Sequence, residues 1–254
     1  MTQAGEGVGP HLSLVVPAYN EEFRIAESMQ RIGAYLASRP CRTEVIAVDD
    51  GSNEPGRLAL AAAVAALPEG VPGRIVHHQT NRGKGAAVRT GALAAAGDYV
   101  AFIDADLATP PADLTALLEA LDSGADVAVG VRRQPDGTDM RNRRGPARRF
   151  AGYAYAWVTQ RLLMPDVADS QCPLKAFRRD AAQRLFGLQR IETWAFDAEL
   201  LFLAHKLGLR VQQVPVTWHA VAGSRLRLNL STALELVNLL RIRWWHRGVR
   251  SQYP

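Results

Sequence analysis

Short apolar runs alternate with helix-length segments through the first half of the chain, and most of the runs end in a polar cluster. Leu12–Val16 stops at Pro17, Glu44–Val48 at Asp49-Asp50-Gly51, and Asp98–Ile103 at Asp104. Arg74–His78 is soon followed by Asn81-Arg82-Gly83-Lys84-Gly85, and a fifth run lies at Asp126–Val131. Between them come Glu21–Leu36, with Ile25, Met29, Ile32 and Leu36 at helical spacing, the Ala/Leu-rich Arg57–Leu67, then Lys84–Ala96 and Pro110–Leu121. Pro110, followed by Leu114, Leu117, Leu118 and Leu121, suits the opening of a helix. This alternation predicts βαβ units, and so an α/β fold whose central sheet is mostly parallel and flanked by helices.

In such sheets ligands sit beyond the carboxyl ends of the strands. The clusters Tyr19–Glu22, Asp49–Ser52, Asn81–Gly85 and Asp104–Asp106 then line one edge of one sheet. Any single polar cluster is better read as a turn. Four on one rim, two of them with paired carboxylates, point to a binding site.

The second half reads differently. Residues 132–145 are Arg-rich, with Gly and Pro, and predict a loop. Pro146–Leu163, Asp180–Phe186, Asp197–Leu207 and Ser231–His246 read as helices, Ala176–Phe177 as a short apolar stretch, and Val211–Trp218 as a strand interrupted by Pro215. Neither a repeat nor a low-complexity linker divides the halves. The expected organisation is a tail (1–11), one domain (12–228) with a first half to about 131, and a C-terminal amphipathic helix (229–254).

Composition narrows the classes. At 48% hydrophobic and 22% charged, the chain is globular rather than disordered. No stretch reaches the roughly 20 apolar residues that span a bilayer, and the first ten residues lack the apolar core of a signal peptide. Cys41 and Cys172 are the two cysteines, too few for a disulfide framework, which fits a reducing cytoplasm. The net charge of +5 is uneven: residues 132–149 hold seven Arg and two Asp, and residues 225–250 hold six Arg and one Glu. Two compact Arg zones argue for localised anions rather than nucleic acid.

Asp104-Ala105-Asp106 is the sharpest local feature. Carboxylates at i and i+2 just past a strand can approach one hard cation, and Mg²⁺ and Mn²⁺ take oxygen ligands while bridging to phosphates. Several other readings fail. Arg82-Gly83-Lys84-Gly85 lacks the spacer and the hydroxyl of a Walker loop, and Gly5, Gly7 and Gly9 precede the first strand instead of following it. The six histidines are scattered, with His77 and His78 adjacent and so on opposite faces of a strand. A nucleophile elbow of the form Gly-x-Ser-x-Gly is missing.

The four motifs Pro17-Ala18-Tyr19-Asn20-Glu21-Glu22, Val48-Asp49-Asp50-Gly51-Ser52, Asn81-Arg82-Gly83-Lys84-Gly85 and Asp104-Ala105-Asp106, in this order and spacing, resemble family 2 glycosyltransferases of the GT-A fold, with its Rossmann-like sheet. Asp169–Lys175, Trp194–Glu199, Val214–Trp218 and Gly223-Ser224-Arg225 resemble the dolichyl-phosphate β-glucosyltransferase branch. The resemblance covers about residues 12–228. It departs at Pro173-Leu174, where that branch usually has Gly-Phe, and in lacking the spanning helices common in the branch.

The resemblance implies that Pro17, Tyr19, Glu21 and Asp49 hold the nucleoside of a sugar nucleotide, UDP-glucose above all, with Asp50 and Lys84 near it. Asp104 would touch ribose or metal, and Asp106 would bind Mg²⁺ or Mn²⁺. It implies transfer with inversion to a polyprenyl or dolichyl phosphate. A phosphate monoester is already anionic near pH 7, since its second pKa is about 6, so it needs cations more than a base. Arg132, Arg141, Arg143 and Arg144 are candidates for that contact, and Gln171 and Lys175 are counted with them. A hydroxyl acceptor would instead need a carboxylate base, for which Asp197 is the candidate. A nucleotide-sugar binding protein without turnover is a third reading, which the intact Asp104/Asp106 pair disfavours. In the last helix, Leu234, Val237, Leu240 and Ile242 lie among Arg241, Arg243, Trp244 and Trp245. That mixture suits peripheral contact of about residues 231–247 with a membrane face, and equally a helix packed on the domain or on a second copy.

Overall fold

The computed structural model describes residues 11–134, 136–140, 157–163, 169–219 and 230–250. Its strands are β1 (Leu12–Ala18), β2 (Thr43–Asp49), β3 (Gly73–His77), β4 (Tyr99–Phe102), β5 (Val127–Val131), β6 (Lys175–Arg178) and β7 (Val211–Pro215). Its helices are α1 (Ile25–Ala37), α2 (Glu54–Ala65), α3 (Lys84–Ala94), α4 (Leu114–Asp122), α5 (Arg179–Leu188), α6 (Phe196–Lys206) and α7 (Leu230–Trp245). Residues 157–162 are helical too.

The strands form one sheet in the order β3-β2-β1-β4-β6-β5-β7. β1 pairs in parallel with β2 and β4, β2 with β3, and β5 with β7. β6 runs antiparallel to both β4 and β5. The sheet is therefore mostly parallel, as the alternation predicts, with one reversed strand inside it, between β4 and β5. That strand was legible only as the apolar pair Ala176–Phe177, because it is four residues long and charged at both ends. β7 ends at Pro215, not Trp218. A proline there is tolerated because β7 is an edge strand and the missing N–H faces no neighbour.

Helices cover both faces of the sheet, which explains why the strands read as continuous apolar runs. Leu12, Leu14 and Val16 of β1 point into one core with Ile25, Met29 and Ile32 of α1 and Leu114, Leu117 and Leu121 of α4. Val15 points the other way, into a core with Val88 of α3, Phe186 of α5, Leu200 of α6, and Leu239 and Ile242 of α7. The strand period of two thus sorts one segment between two cores.

Two helices start away from the positions that hydrophobic periodicity suggests. α1 opens at Ile25, after a turn in which the Glu21 carbonyl accepts from the N–H groups of Arg24 and Ile25. Glu21 and Glu22 thereby stay in the loop at the sheet edge. α2 opens at Glu54, with Asn53 as N-cap accepting from the Gly56 N–H, a strong capping residue.

Candidate active site

The carboxyl ends of β1, β2 and β4 carry three of the four polar clusters, and the fourth sits between β3 and α3. Asp49 and Asp50 close β2 and divide the work. Asp49 Oδ1 accepts from the Ser52 N–H at 2.9 Å, and its Oδ2 lies 3.0 Å from His77 Nδ1. Burial pushes the Asp49 carboxyl upward, but these partners outweigh it and hold it below the usual carboxylate range. Asp50 turns its oxygens toward the next loop. It meets His78 Nδ1 at 2.7 Å, Asn81 Nδ2 at 2.9 Å, and the N–H groups of Arg82 and Gly83 at 3.0 and 2.8 Å. The Asp50 carboxylate thus shapes residues 78–83. The sequence placed His77 and His78 on opposite faces, and they serve adjacent aspartates.

Gly51 permits this arrangement. Its φ is +73°, and a Cβ there would stand 2.4 Å from the Thr80 carbonyl carbon and 2.5 Å from the Asn81 nitrogen. Only glycine fits both the conformation and the backbone approach. Among the described residues, the non-glycines with positive φ are Asn20 at 49° and Leu107 at 47°. Both sit in loops at this edge, where strained backbone commonly marks a functional site.

Lys84, the first residue of α3, reaches back to the β4 end. Its Nζ lies 2.7 and 2.9 Å from the two oxygens of Asp104, and 5.2, 5.8 and 5.9 Å from the rings of Trp194, Phe196 and Phe102. Burial works against its charge, but Asp104, Asp197 and Asp106 more than restore it, so its pKa is raised. Asp106 is half-buried, and its Oδ1 accepts from the Ala108 N–H at 3.0 Å. Burial first, and the neighbouring Asp104 second, push its carboxyl upward. A divalent cation would relieve both effects. Two hard oxygen donors side by side fit Mg²⁺ or Mn²⁺. Among the described residues no cluster of three His, Cys, Asp or Glu that could hold a metal ion exists.

Behind them lies a second lysine–aspartate pair. Lys175 of β6 is fully buried; its Nζ is 2.6 Å from Asp197 Oδ1 and 2.8 Å from the Cys172 carbonyl. Burial pushes the Asp197 carboxyl upward against the pull of Lys175 and Lys84. Arg132 follows the same logic: it is 4% exposed and clamps Asp169 through Nε and Nη2, both at 2.7 Å. Lys175 and Arg132 were expected to reach an acceptor phosphate. In the structure each is paired with an internal carboxylate, Asp197 and Asp169. Burial pushes the Cys172 thiol up to about 11, so it stays protonated. Gln171 is half-buried, Pro17 is half-buried and Tyr19 is exposed beyond β1, and Glu21 pairs with Arg24 at 2.9 Å. Arg141, Arg143 and Arg144 lie outside the described residues.

Residues 190–197 form the far wall. Glu192 pairs with Arg82, and its carbonyl accepts from the Ala86 N–H at 3.1 Å. Gly83, with φ +109°, lies so close beneath that a Cβ would be 2.6 Å from the Glu192 oxygen. Trp194, 40% exposed, stands at the mouth beside Lys84. The sequence reading assigned no role to Trp194; its pairing with a cation is a tertiary fact.

A family model for glycosyl transferase family 2 matches residues 13–186. The chain belongs to that family. It is 32% identical to a dolichyl-phosphate β-glucosyltransferase of Dictyostelium discoideum, over 92% of this chain and 74% of the relative. It is 33% identical to that of Homo sapiens, over 85% and 69%, and 31% identical to that of Saccharomyces cerevisiae, over 91% and 74%. Among solved structures it resembles a glucosyl-3-phosphoglycerate synthase from Mycobacterium tuberculosis in complex with Mn²⁺, UDP-glucose and phosphoglyceric acid. The TM-score is 0.69 at 20% identity, over 96% of this chain and 82% of that one. The same enzyme with Mg²⁺ and UDP gives an equal score. The family 2 match and these neighbours agree with the α/β fold read from the strand alternation.

Proposed function

We propose that this glycosyltransferase moves glucose from UDP-glucose to a polyprenyl or dolichyl phosphate, with inversion, using Mg²⁺ or Mn²⁺. The observation that carries the reading is the rim of one sheet edge: Asp49 charged and braced, Asp104 and Asp106 adjacent, and Lys84 between them and the Trp194–Asp197 wall. The names of the curated relatives support the lipid acceptor, and the ligands of the solved neighbours support the donor and the metal.

Asp49 accepts hydrogen bonds from the nucleoside, with Pro17, Tyr19 and Glu21 beside it. Asp106, with Asp104, would hold the metal, which when bound would supply Lewis-acid neutralisation for the departing diphosphate. Lys84 adds a fixed cation near the same phosphates, an electrostatic contribution placed before reaction begins. The acceptor phosphate oxygen attacks the anomeric carbon as the bond to UDP breaks, so an α-linked donor gives a β-linked product. A phosphate acceptor already carries the nucleophilic charge, and Asp197, tied to Lys175, holds the wall rather than taking a proton. On a hydroxyl acceptor Asp197 would act as the base. The protein works in peripheral contact with the cytoplasmic face of a membrane. A donor screen with UDP-, GDP- and dTDP-sugars, with and without chelator, tests the reading. Metal-dependent consumption of UDP-glucose is expected, and preference for another base would overturn the donor assignment.

A further inference from the structure

Helix α7 has two unlike faces. Asn238, Leu239, Ile242 and His246 are buried against the domain. This inner face grips the wall of the site. Glu235 Oε2 accepts from the Ala195 N–H at 2.9 Å, Asn238 Nδ2 reaches Thr193 Oγ1 at 3.4 Å, and His246 Nε2 is 2.7 Å from Glu199 Oε1. Glu199 in turn accepts from the Arg190 and Ile191 N–H groups. Residues 190–199, which carry Trp194 and Asp197, are thus fixed to α7.

The outer face exposes apolar side chains. Val237, Leu240 and Trp244, at i, i+3 and i+7, are 43%, 58% and 62% exposed. The Arg247 guanidinium lies 5.2 Å from the Trp244 ring, and Arg241 and Arg243 are exposed beside it. Arg243 also donates to the Leu162 carbonyl at 2.8 Å, which joins α7 to the helical residues 157–162. There Trp157 is 61% exposed, with the Arg161 guanidinium 5.7 Å from its ring. Each of two neighbouring helices therefore shows solvent a tryptophan attended by an arginine. A surface helix normally turns polar side chains outward. Indole rings among guanidinium groups match the boundary of a bilayer, where rings sit at headgroup depth and cations meet anionic lipid.

We propose that the outward face of α7, with the adjoining residues 157–162, docks on an anionic lipid surface. Charge decides against a second copy of the chain. A two-fold interface sets a patch against itself, so Arg241, Arg243 and Arg247 would oppose their own counterparts. On an anionic membrane each such residue contributes attraction instead. The choice of a lipid partner agrees with, and in part rests on, the lipid-phosphate acceptor proposed above. Because α7 also holds residues 190–199, docking would set the mouth of the site at a fixed position relative to that surface.

The test is flotation with phosphatidylcholine vesicles, with and without phosphatidylglycerol, for the wild-type chain and a Leu240→Glu/Trp244→Glu double variant. Both sites are exposed, so an unchanged thermal midpoint checks the variant's fold. The wild-type protein should float with the anionic vesicles at least tenfold better than with neutral ones, and be released by high salt. The variant should lose that binding yet keep its rate on a short-chain, water-soluble polyprenyl phosphate. Equal flotation of the two proteins would overturn the assignment. So would a wild-type chain that ignores vesicles and sediments as a dimer that the substitutions dissociate. Flotation that obeys these expectations while no polyprenyl phosphate is glucosylated would support the docking face and reject the acceptor.

Discussion

Lys84 Nζ faces both carboxylate oxygens of Asp104, at 2.7 and 2.9 Å. The lysine at the start of α3 therefore pairs with one aspartate of the D-x-D pair and also acts on the charge of the other. Lys84→Met should lower kcat/KM for the sugar nucleotide by about ten- to a hundredfold, which is roughly 1.4–2.8 kcal/mol. Steady-state kinetics at saturating metal would check this, and an unchanged kcat/KM would remove Lys84 from the phosphate site.

Asp106→Ala separates activity from stability. Turnover should fall at least about a hundredfold, as expected when a charge-stabilising group is lost. The thermal midpoint without metal should hold or rise, because burial and Asp104 disfavour the Asp106 charge. Mn²⁺ with UDP should stabilise the wild-type chain and not the variant. A variant that keeps metal-dependent turnover would contradict the assignment.

Asp49 makes a pH prediction. Its pKa is depressed in the folded chain, so its stabilisation is present above the unfolded value, about 3.9, and is lost as pH falls through the folded value. Asp49→Asn should cost on the order of 1 kcal/mol at pH 7. In urea titrations the gap from wild type should narrow below about pH 3.9. A gap independent of pH would mean that shape, not charge, matters at this position.

Gly51→Ala should destabilise the chain by more than the ordinary glycine-to-alanine effect. It combines positive φ with a backbone collision at Thr80 and Asn81. A loss of about 2 kcal/mol or more is expected, with UDP affinity falling alongside. A stabilised variant would show that the loop can yield.

Breaking the buried pair tests the wall. Lys175→Met leaves Asp197 buried without its 2.6 Å partner, at a cost of about 3–5 kcal/mol. Adding Asp197→Asn should recover much of that loss, since the two effects are not additive. Independent, additive costs in denaturant melts would mean the pair is not coupled.

The sheet and the gathering of the polar clusters at one edge of it were legible because strand period, helix period and strand-end polarity agree through residues 12–131. What escaped was tertiary. β6 is too short for its period to show, and its lysine looks like a surface charge until Asp197 is found beside it. Asp50 and Asp49 are adjacent and alike in sequence, yet one braces residues 78–83 and the other is held by Ser52 and His77. That division depends on His78, Asn81 and Gly83, some 30 residues away, and no local pattern encodes it. Arg132 read as an available cation within a basic loop, and its neutraliser Asp169 lies 37 residues further on.

The acceptor assay bears most directly on the central claim. Purified protein is incubated with radiolabelled UDP-glucose, Mg²⁺ or Mn²⁺ and polyprenyl phosphate, and the products are partitioned into organic solvent. The account predicts metal-dependent label in the organic phase as a β-linked glucosyl lipid phosphate. Consumption of UDP-glucose with label confined to the aqueous phase would contradict it.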